Sequence, residues 1–157
     1  MVSLEEDLDF DFDPGEMNDD ESVNMETTTN IKWVAKLGSQ AYGNVTIANG
    51  RVFAGTNNES PRDGGKKGDR GVVMCFNEKS GNLEWQLVIP KLGAGKVSDW
   101  EYIGVCSSPA IEGNMVYVVT NKCEVVCLDI EGFKNGNDGP YMDCLLYTSD
   151  AADDTLC

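Results

Sequence analysis

The sequence of 157 residues contains no histidine. This absence excludes a histidine-based catalytic triad, a histidine ligand to zinc and an imidazole base that titrates near neutral pH. The first residues also lack a basic start followed by an apolar run of sufficient length, so they do not resemble a secretory signal peptide. Any catalysis by this chain has to use other side chains.

Basic residues are missing from both ends of the chain. The net charge is −15, yet residues 1–30 hold eleven acidic and no basic residues, and residues 144–157 hold three acidic and no basic ones. Residues 31–143 are therefore nearly neutral, and the acidity says little about the partners of this part. Low hydrophobicity with charge of one sign predicts that residues 1–30 form a disordered linker.

Two motifs suggest ligands but lack an essential residue. Asp9, Asp11 and Asp13 alternate as calcium ligands do in an EF-hand, but Pro14 stands where that loop needs glycine. The loop at residues 57–70 is rich in glycine and lysine, but it lacks the Gly-Lys-Ser/Thr ending of a phosphate loop. A linker and a surface insertion are the favoured interpretations, and we predict no metal site.

The sequence repeats itself. Residues 47–57 align with residues 111–121, residues 73–77 with residues 125–129, and residues 31–33 with residues 83–85. Each copy reads as short β-strands separated by glycine-containing turns, and the first copy carries an extra loop near residues 59–70. Four short antiparallel strands per repeat are typical of a β-propeller blade.

One stretch of the repeat carries a recognisable motif. Cys75, Asn77, Ser80, Gly81 and Trp85 fall on the positions of the pattern Ala-x-Asp-x-x-Thr-Gly-x-x-x-Trp. Residues 31–143 as a whole resemble the pyrroloquinoline-quinone-like (PQQ-like) propeller repeat of bacterial proteins, which carries this pattern. The residues on this structural motif are Trp33, Cys75, Asn77, Ser80, Gly81, Trp85 and Asp129. The chain departs from the pattern where Cys75 and Cys127 replace the small alanine, and where the Thr-Gly turn is missing after Asp129.

The resemblance implies an all-β fold, a partial β-propeller of about one and a half four-stranded antiparallel blades. Blade one is expected at about residues 42–87 and blade two at about residues 106–143. We predict strands near residues 31–35, 44–47, 52–56, 71–76, 83–87, 109–111, 115–120 and 124–129. The predicted core consists of Val52, Val73, Cys75, Trp85, Ile111, Val116, Val118, Val125 and Cys127, packed between two sheets.

The resemblance also bears on function. PQQ dehydrogenases of this family combine a quinone stacked on tryptophan, a calcium ion, a catalytic aspartate and often an adjacent cysteine pair, and no adjacent pair occurs here. A binding or scaffolding module is the first hypothesis, and part of a PQQ-dependent alcohol or sugar dehydrogenase is the alternative. A periplasmic or secreted location is implied. The expected partners are the remaining blades and a protein or small-molecule ligand at the propeller mouth, with no nucleic acid and no membrane span.

Two connections supply candidate ligand residues, because loops at the mouth of a propeller carry function more often than its blades. The candidates are Asn57, Glu59, Asp69, Arg70, Asp99, Trp100 and Glu101. Trp100 and Tyr102, flanked by carboxylates, can orient a ligand. The favoured alternative is that these two aromatic residues plug the gap between blades.

The cysteines favour structural roles. Cys123 and Cys127 form a C-x-x-x-C pattern, but four residues on a strand span roughly 13 Å, too far for two thiolates to share one metal ion. Cys75 and Cys127 are expected to act as small buried hydrophobic residues. Cys106 with Cys123 is the one disulfide pair worth testing.

The C-terminal residues do not match the repeat. Residues 144–154 resemble the in-frame translation of a transposase sequencing-library adaptor, so residues 144–157 are expected to be a non-native tail and the natural sequence to stop near Asp143. Blade two would then lack its outer strand unless the tail pairs with it. Because blade two lacks this strand and a further neighbouring blade, we expect Val116, Val118, Val125 and Cys127 to face water.

Overall fold

The computed structural model describes residues 13–93 and 100–132, together with the backbone of residues 147–150. These residues form eight strands: β1 (Thr46–Ala48), β2 (Arg51–Asn57), β3 (Arg70–Asn77), β4 (Leu83–Pro90), β5 (Ala110–Glu112), β6 (Met115–Val119), β7 (Glu124–Asp129) and β8 (Tyr147–Asp150). The helical structure in the described part is a single 3-10 turn, Met25–Thr27, and no described helix is long and apolar enough to cross a membrane. The predicted all-β fold is confirmed.

The strands form two antiparallel sheets in sequence order. The first sheet has the order β1-β2-β3-β4, and the second has β5-β6-β7 with β8 added at its edge. Both sheets belong to one compact unit that begins at Leu37, whereas residues up to Lys36 form a separate unit. Within the described part of the N-terminal unit, which ends at Lys36, backbone bridges join Asp13 to Thr29 and Met17 to Val23.

Seven of the eight predicted strands lie within a few residues of observed strands. The strand predicted at residues 31–35 is wrong, because these residues join neither sheet. Ile31 and Trp33 have the side chains of a strand, but a strand also needs a neighbouring backbone to complete its hydrogen bonds. The alignment of residues 31–33 with residues 83–85 therefore reflects similar side chains and does not show that residues 31–35 pair with another strand.

The edge of β7 is not left open. Tyr147–Asp150 pairs with it antiparallel, in the register Cys127↔Tyr147 to Glu124↔Asp150. An edge strand presents a row of backbone donors and acceptors that readily recruits another strand. The outer position of the second sheet is thus filled by part of the tail that resembles no propeller repeat.

The same turn ends β3 and β7. The Asn77 side-chain oxygen accepts hydrogen bonds from the backbone N–H groups of Lys79 and Ser80, and Gly81 adopts a φ of 72° behind them. At Asp129 the carboxylate accepts a hydrogen bond of 2.7 Å from the Glu131 N–H. Short polar side chains that bond the backbone two residues on define this type of turn, which places Asn77 and Asp129 in equivalent roles.

The hydrophobic core lies between the two sheets. Its buried members are Phe53, Val73, Cys75, Ile89, Val105, Val116, Val118, Val126, Leu128 and Ile130. The predictions for Val73, Cys75, Val116 and Val118 are confirmed, and Trp85 and Ile111 pack against this cluster while only partly buried.

The predictions that Val125 and Cys127 lie in the core are wrong, and both are wrong for the same reason. Val125 and Cys127 lie on the outer face of the second sheet and are only half-buried, while Val126 and Leu128 point into the core. Cys127 is the repeat equivalent of Cys75, and successive side chains of a strand point to opposite faces. The sheets are therefore stacked in the same orientation, so that equivalent residues point the same way and not toward each other.

Two further expectations are corrected. Val116 and Val118 are buried against the first sheet and do not face water. Val52 is buried, but it pairs with Phe76 and lies outside the core cluster. Both faces of β3 are covered, as its uninterrupted apolar run predicts, and Arg62 contributes by placing its guanidinium 5.8 Å from the Phe76 ring centre.

Hydrogen bonds join equivalent positions of the two repeats. They run from the Asn44 N–H to Ser108 Oγ, from Thr46 Oγ1 to the Pro109 carbonyl, and from Asn49 Nδ2 to the Gly113 carbonyl. Each pair is 63 or 64 residues apart, which is the spacing at which the sequence repeats. The first strands of the two sheets thus run side by side.

Arg51 links the sheets electrostatically. Its Nε atom lies 2.9 Å from Glu84 in the first sheet and its second terminal nitrogen lies 2.7 Å from Glu131 beyond β7. Burial tends to lower the pKa of Arg51, but the hydrogen bonds and charges of the two carboxylates outweigh it, and the pKa is raised. Arg51 and Glu84 are mostly buried, so each of these two charges depends on the other for its stabilisation.

We expect Arg51→Met to lower the free energy of unfolding by about 2 to 3 kcal/mol, because it leaves the buried Glu84 carboxylate without its cation. Glu131 is more than a third exposed, so Glu131→Gln should cost no more than about 1 kcal/mol. Urea unfolding of the two variants measures both values. Equal losses would show that the bridge between sheets, and not the buried pair, carries the energy.

Gly132 closes the second turn against the first sheet. It has a φ of 63°, and a Cβ atom at this position would lie 2.8 Å from Cδ1 of Trp85. We expect Gly132→Ala to destabilise the protein by more than the roughly 1 to 2 kcal/mol of left-handed backbone strain. Gly113→Ala is the matched control, since it has a φ of 55° with nothing within 4 Å of the added atom. Similar losses at the two positions would contradict the contact with Trp85.

Candidate functional site

The two loops singled out from the sequence meet at one end of the first sheet. The Asp69 carboxylate accepts a hydrogen bond of 2.8 Å from the Tyr102 N–H and lies 3.6 Å from Lys91 Nζ. Lys91 in turn donates to the Trp100 carbonyl. Residues 57–70 and 100–106 therefore form one loop cluster.

Asn57 is held in place by the loops around it. Its oxygen accepts hydrogen bonds from the N–H groups of Ser39 and Glu59, and its amide nitrogen donates to Ser39 Oγ and the Tyr102 carbonyl. A buried amide with this many partners has little capacity left for a ligand. Asn57 fastens the loop cluster to the end of β2.

The remaining candidates are distributed around the cluster. Glu59 accepts a hydrogen bond from Ser39 Oγ, and Arg70 donates from Nε to the Lys67 carbonyl over 3.1 Å. Glu101 is exposed, and Asp99 lies outside the described residues. Their use by a ligand stays a prediction.

Trp100 does not plug the gap between the sheets. Its side chain is 66% exposed and Tyr102 is 40% exposed, so the favoured sequence interpretation is wrong for both. Core positions were already taken by β-strand residues and by Val105, whose N–H donates to the Thr56 carbonyl. Trp100 is left available at the surface.

A cavity of about 460 Å³ lies beside Trp100, at the end of the second sheet. Its lining includes Cys106, Ser107, Val119 and Cys123. This volume lies within the range of clefts that hold small molecules. The sequence paired Cys106 with Cys123, but it did not indicate that the exposed indole of Trp100 lies beside them.

The described part of the chain contains no cluster of side chains suited to bind a metal ion. Among residues 13–93 and 100–132, no group of three or more cysteine and carboxylate side chains is placed to hold one metal ion. Cys75, Cys106, Cys123 and Cys127 are all thiols in this structure. The disulfide considered for Cys106 and Cys123 is therefore not formed here.

A second cavity belongs to the N-terminal unit. It has a volume of about 680 Å³ and is lined by Met17, Trp33, Lys36 and neighbouring residues. The hydrogen bond from Lys36 Nζ, 2.6 Å from Glu21, lowers the pKa of the Glu21 carboxyl. Trp33, which was expected to lie on the strand predicted at residues 31–35, is half-buried and lines this cavity.

Comparison with protein-family models and with curated proteins finds no match to this chain.

Proposed function

We propose that this chain is part of a PQQ-like β-propeller that serves as a binding or scaffolding module. The observation that carries the proposal is the stacking of two repeats, one with four strands and one with three, in the same orientation, with Cys75 inside and its equivalent Cys127 outside. In such an arrangement each blade covers the next, and the remaining blades are the first partners.

The outer face of the second sheet supports this proposal. Tyr117 pairs with Cys127 and Val119 with Val125 across β6 and β7 on that face. Their equivalents on the first sheet include Phe53 and Cys75, which are completely buried by the second sheet. A further blade placed on Tyr117 and Cys127 would repeat the contact that already buries Phe53 and Cys75.

The loop cluster is the proposed ligand site of this module. The buried Asn57 and the partly buried Asp69 bond the loops to each other, and Trp100 and Tyr102 are the exposed aromatic residues of the cluster. Loops that are held in place by hydrogen bonds and that present exposed aromatic residues suit recognition of a partner.

Dye reduction tests this function against the dehydrogenase alternative. The protein extended by the gene's downstream repeats is incubated with PQQ, calcium, an electron-accepting dye and primary alcohols or sugars. We expect no calcium-dependent reduction of the dye above the level seen without protein. Reduction that requires both PQQ and calcium would overturn the scaffolding proposal and establish a quinone-dependent dehydrogenase.

A further inference from the structure

Two thiols share the wall of the cavity at the end of the second sheet. Cys106 and Cys123 are both exposed, and both line the cavity beside Trp100. They come from different segments, one from the connection that enters β5 and one from the turn between β6 and β7. Cys75 is buried in the core and Cys127 is half-buried on the outer face, so neither shares this location.

Hydrogen bonds position the two segments against each other. Ser107 Oγ donates to the Val119 carbonyl over 2.8 Å and accepts from the Val119 N–H over 3.0 Å. These two hydrogen bonds place Cys106, the residue before Ser107, beside the end of β6. The turn that follows is closed by bonds from the Thr120 N–H to the Glu124 carbonyl and from the Cys123 N–H to the Thr120 carbonyl.

The backbone at Cys123 is unusual. Its φ is 62°, in the left-handed region where glycine and asparagine are ordinary and other residues are strained. Strained residues of this kind cluster at functional sites. A cysteine at this position of a surface turn therefore points to a use of its thiol.

We propose that Cys106 and Cys123 form a redox-active thiol pair that a small disulfide such as glutathione disulfide converts into an intramolecular disulfide. The cavity beside the pair gives the reagent room to reach both sulfur atoms. The new bond would tie the connection before β5 to the β6–β7 turn, across the cavity that Trp100 lines.

The chemistry is thiol–disulfide exchange. The thiolate of one cysteine attacks a sulfur atom of glutathione disulfide, forms a mixed disulfide and expels one glutathione thiolate. The second cysteine then attacks the protein sulfur of the mixed disulfide and expels the second glutathione. Two protein thiols are oxidised, one glutathione disulfide is reduced to two glutathione molecules, and the two protons pass to the released thiolates.

The test uses the full chain with Cys144→Ser and Cys157→Ser, equilibrated in glutathione redox buffers, alkylated and mapped by mass spectrometry. The temperature is chosen so that the buried Cys75 stays unlabelled, which reports a folded core. We expect a linked peptide pair containing Cys106 and Cys123. Cys127 should remain a thiol, consistent with burial raising the pKa of its thiol.

Denaturant and a positioning variant separate native geometry from chance pairing. The equilibrium constant for forming the bond should be at least about tenfold higher in buffer than in guanidinium, because the fold raises the effective concentration of the two thiols. Ser107→Ala should lower the constant in buffer and leave it unchanged in guanidinium. Equal constants in the two solvents, or a bond to Cys75 or Cys127 instead, would overturn the proposal.

Discussion

Replacing Trp85 by alanine should lower the free energy of unfolding by about 3 to 5 kcal/mol, measured in the protein extended by the proposed neighbouring repeats. The indole makes three kinds of contact. Its Nε1–H donates a hydrogen bond of 3.0 Å to the Ile130 carbonyl, its ring centre lies 6.0 Å from that of Phe53, and Gly132 lies against its edge. Trp85 therefore holds the first sheet to the turn that ends the second.

Trp100→Ala is the matched control for this substitution. The same side chain is removed, but Trp100 is 66% exposed, and exposed substitutions usually change stability by less than about 0.5 kcal/mol. Urea unfolding of the two variants gives the comparison. Losses of equal size would show that Trp85 does not join the two repeats.

The strands and turns could be predicted from the sequence because their signals are local. The apolar run at residues 72–76 indicates a strand covered on both faces, and Asn77 and Gly81 supply the turn that the structure contains. The internal repeat of the sequence also predicted that consecutive strands of each copy lie side by side in one sheet. The strand predicted at residues 31–35 was wrong because side-chain pattern carries no information about which backbone lies beside it.

The direction in which each sheet faces could not be read from either copy alone. Alternation shows that Val125 and Cys127 share one face and Val126 and Leu128 the other, but both faces are apolar. Only the stacking of the sheets decides which is buried. The predicted core placed Cys127 between the two sheets, whereas the stacking of both sheets in one orientation places it on the outer face.

The candidate site was predicted in part. Sequence identified the two loops, and the structure brings them together through Asp69 and Tyr102. Sequence could not show that Asn57 is occupied by bonds to the backbone and to Ser39, or that Cys106 and Cys123 share a cavity. Both facts depend on where segments far apart in the chain return in space.

The 157-residue chain by itself should unfold over a broad range of temperature and bind a hydrophobic dye before it does so. Stacked repeats usually need at least about three units, because each buries its neighbour's apolar face. Val119 on the outer face of the second sheet is 46% exposed, and Val45 and Ile47 are exposed beside and within β1. The negative charge of the ends opposes association, but it does not cover these surfaces.

Substitution on the outer face provides an internal check on this expectation. Val119→Thr keeps the branched shape and removes apolar surface, so dye binding by the isolated chain should fall. Val118→Thr places a hydroxyl in the buried core and should instead broaden the transition further. Unchanged dye binding in Val119→Thr would show that the dye reports some other surface.

Scanning calorimetry of the 157-residue chain tests the stacked-repeat account most directly when it is run beside the same chain extended by the proposed further repeats. Sedimentation establishes that the chain is monomeric under the same conditions. The account predicts a broad transition for the 157-residue chain and a narrower one at higher temperature for the extended protein. A sharp transition of the 157-residue monomer, with equal calorimetric and van't Hoff enthalpies, would contradict it.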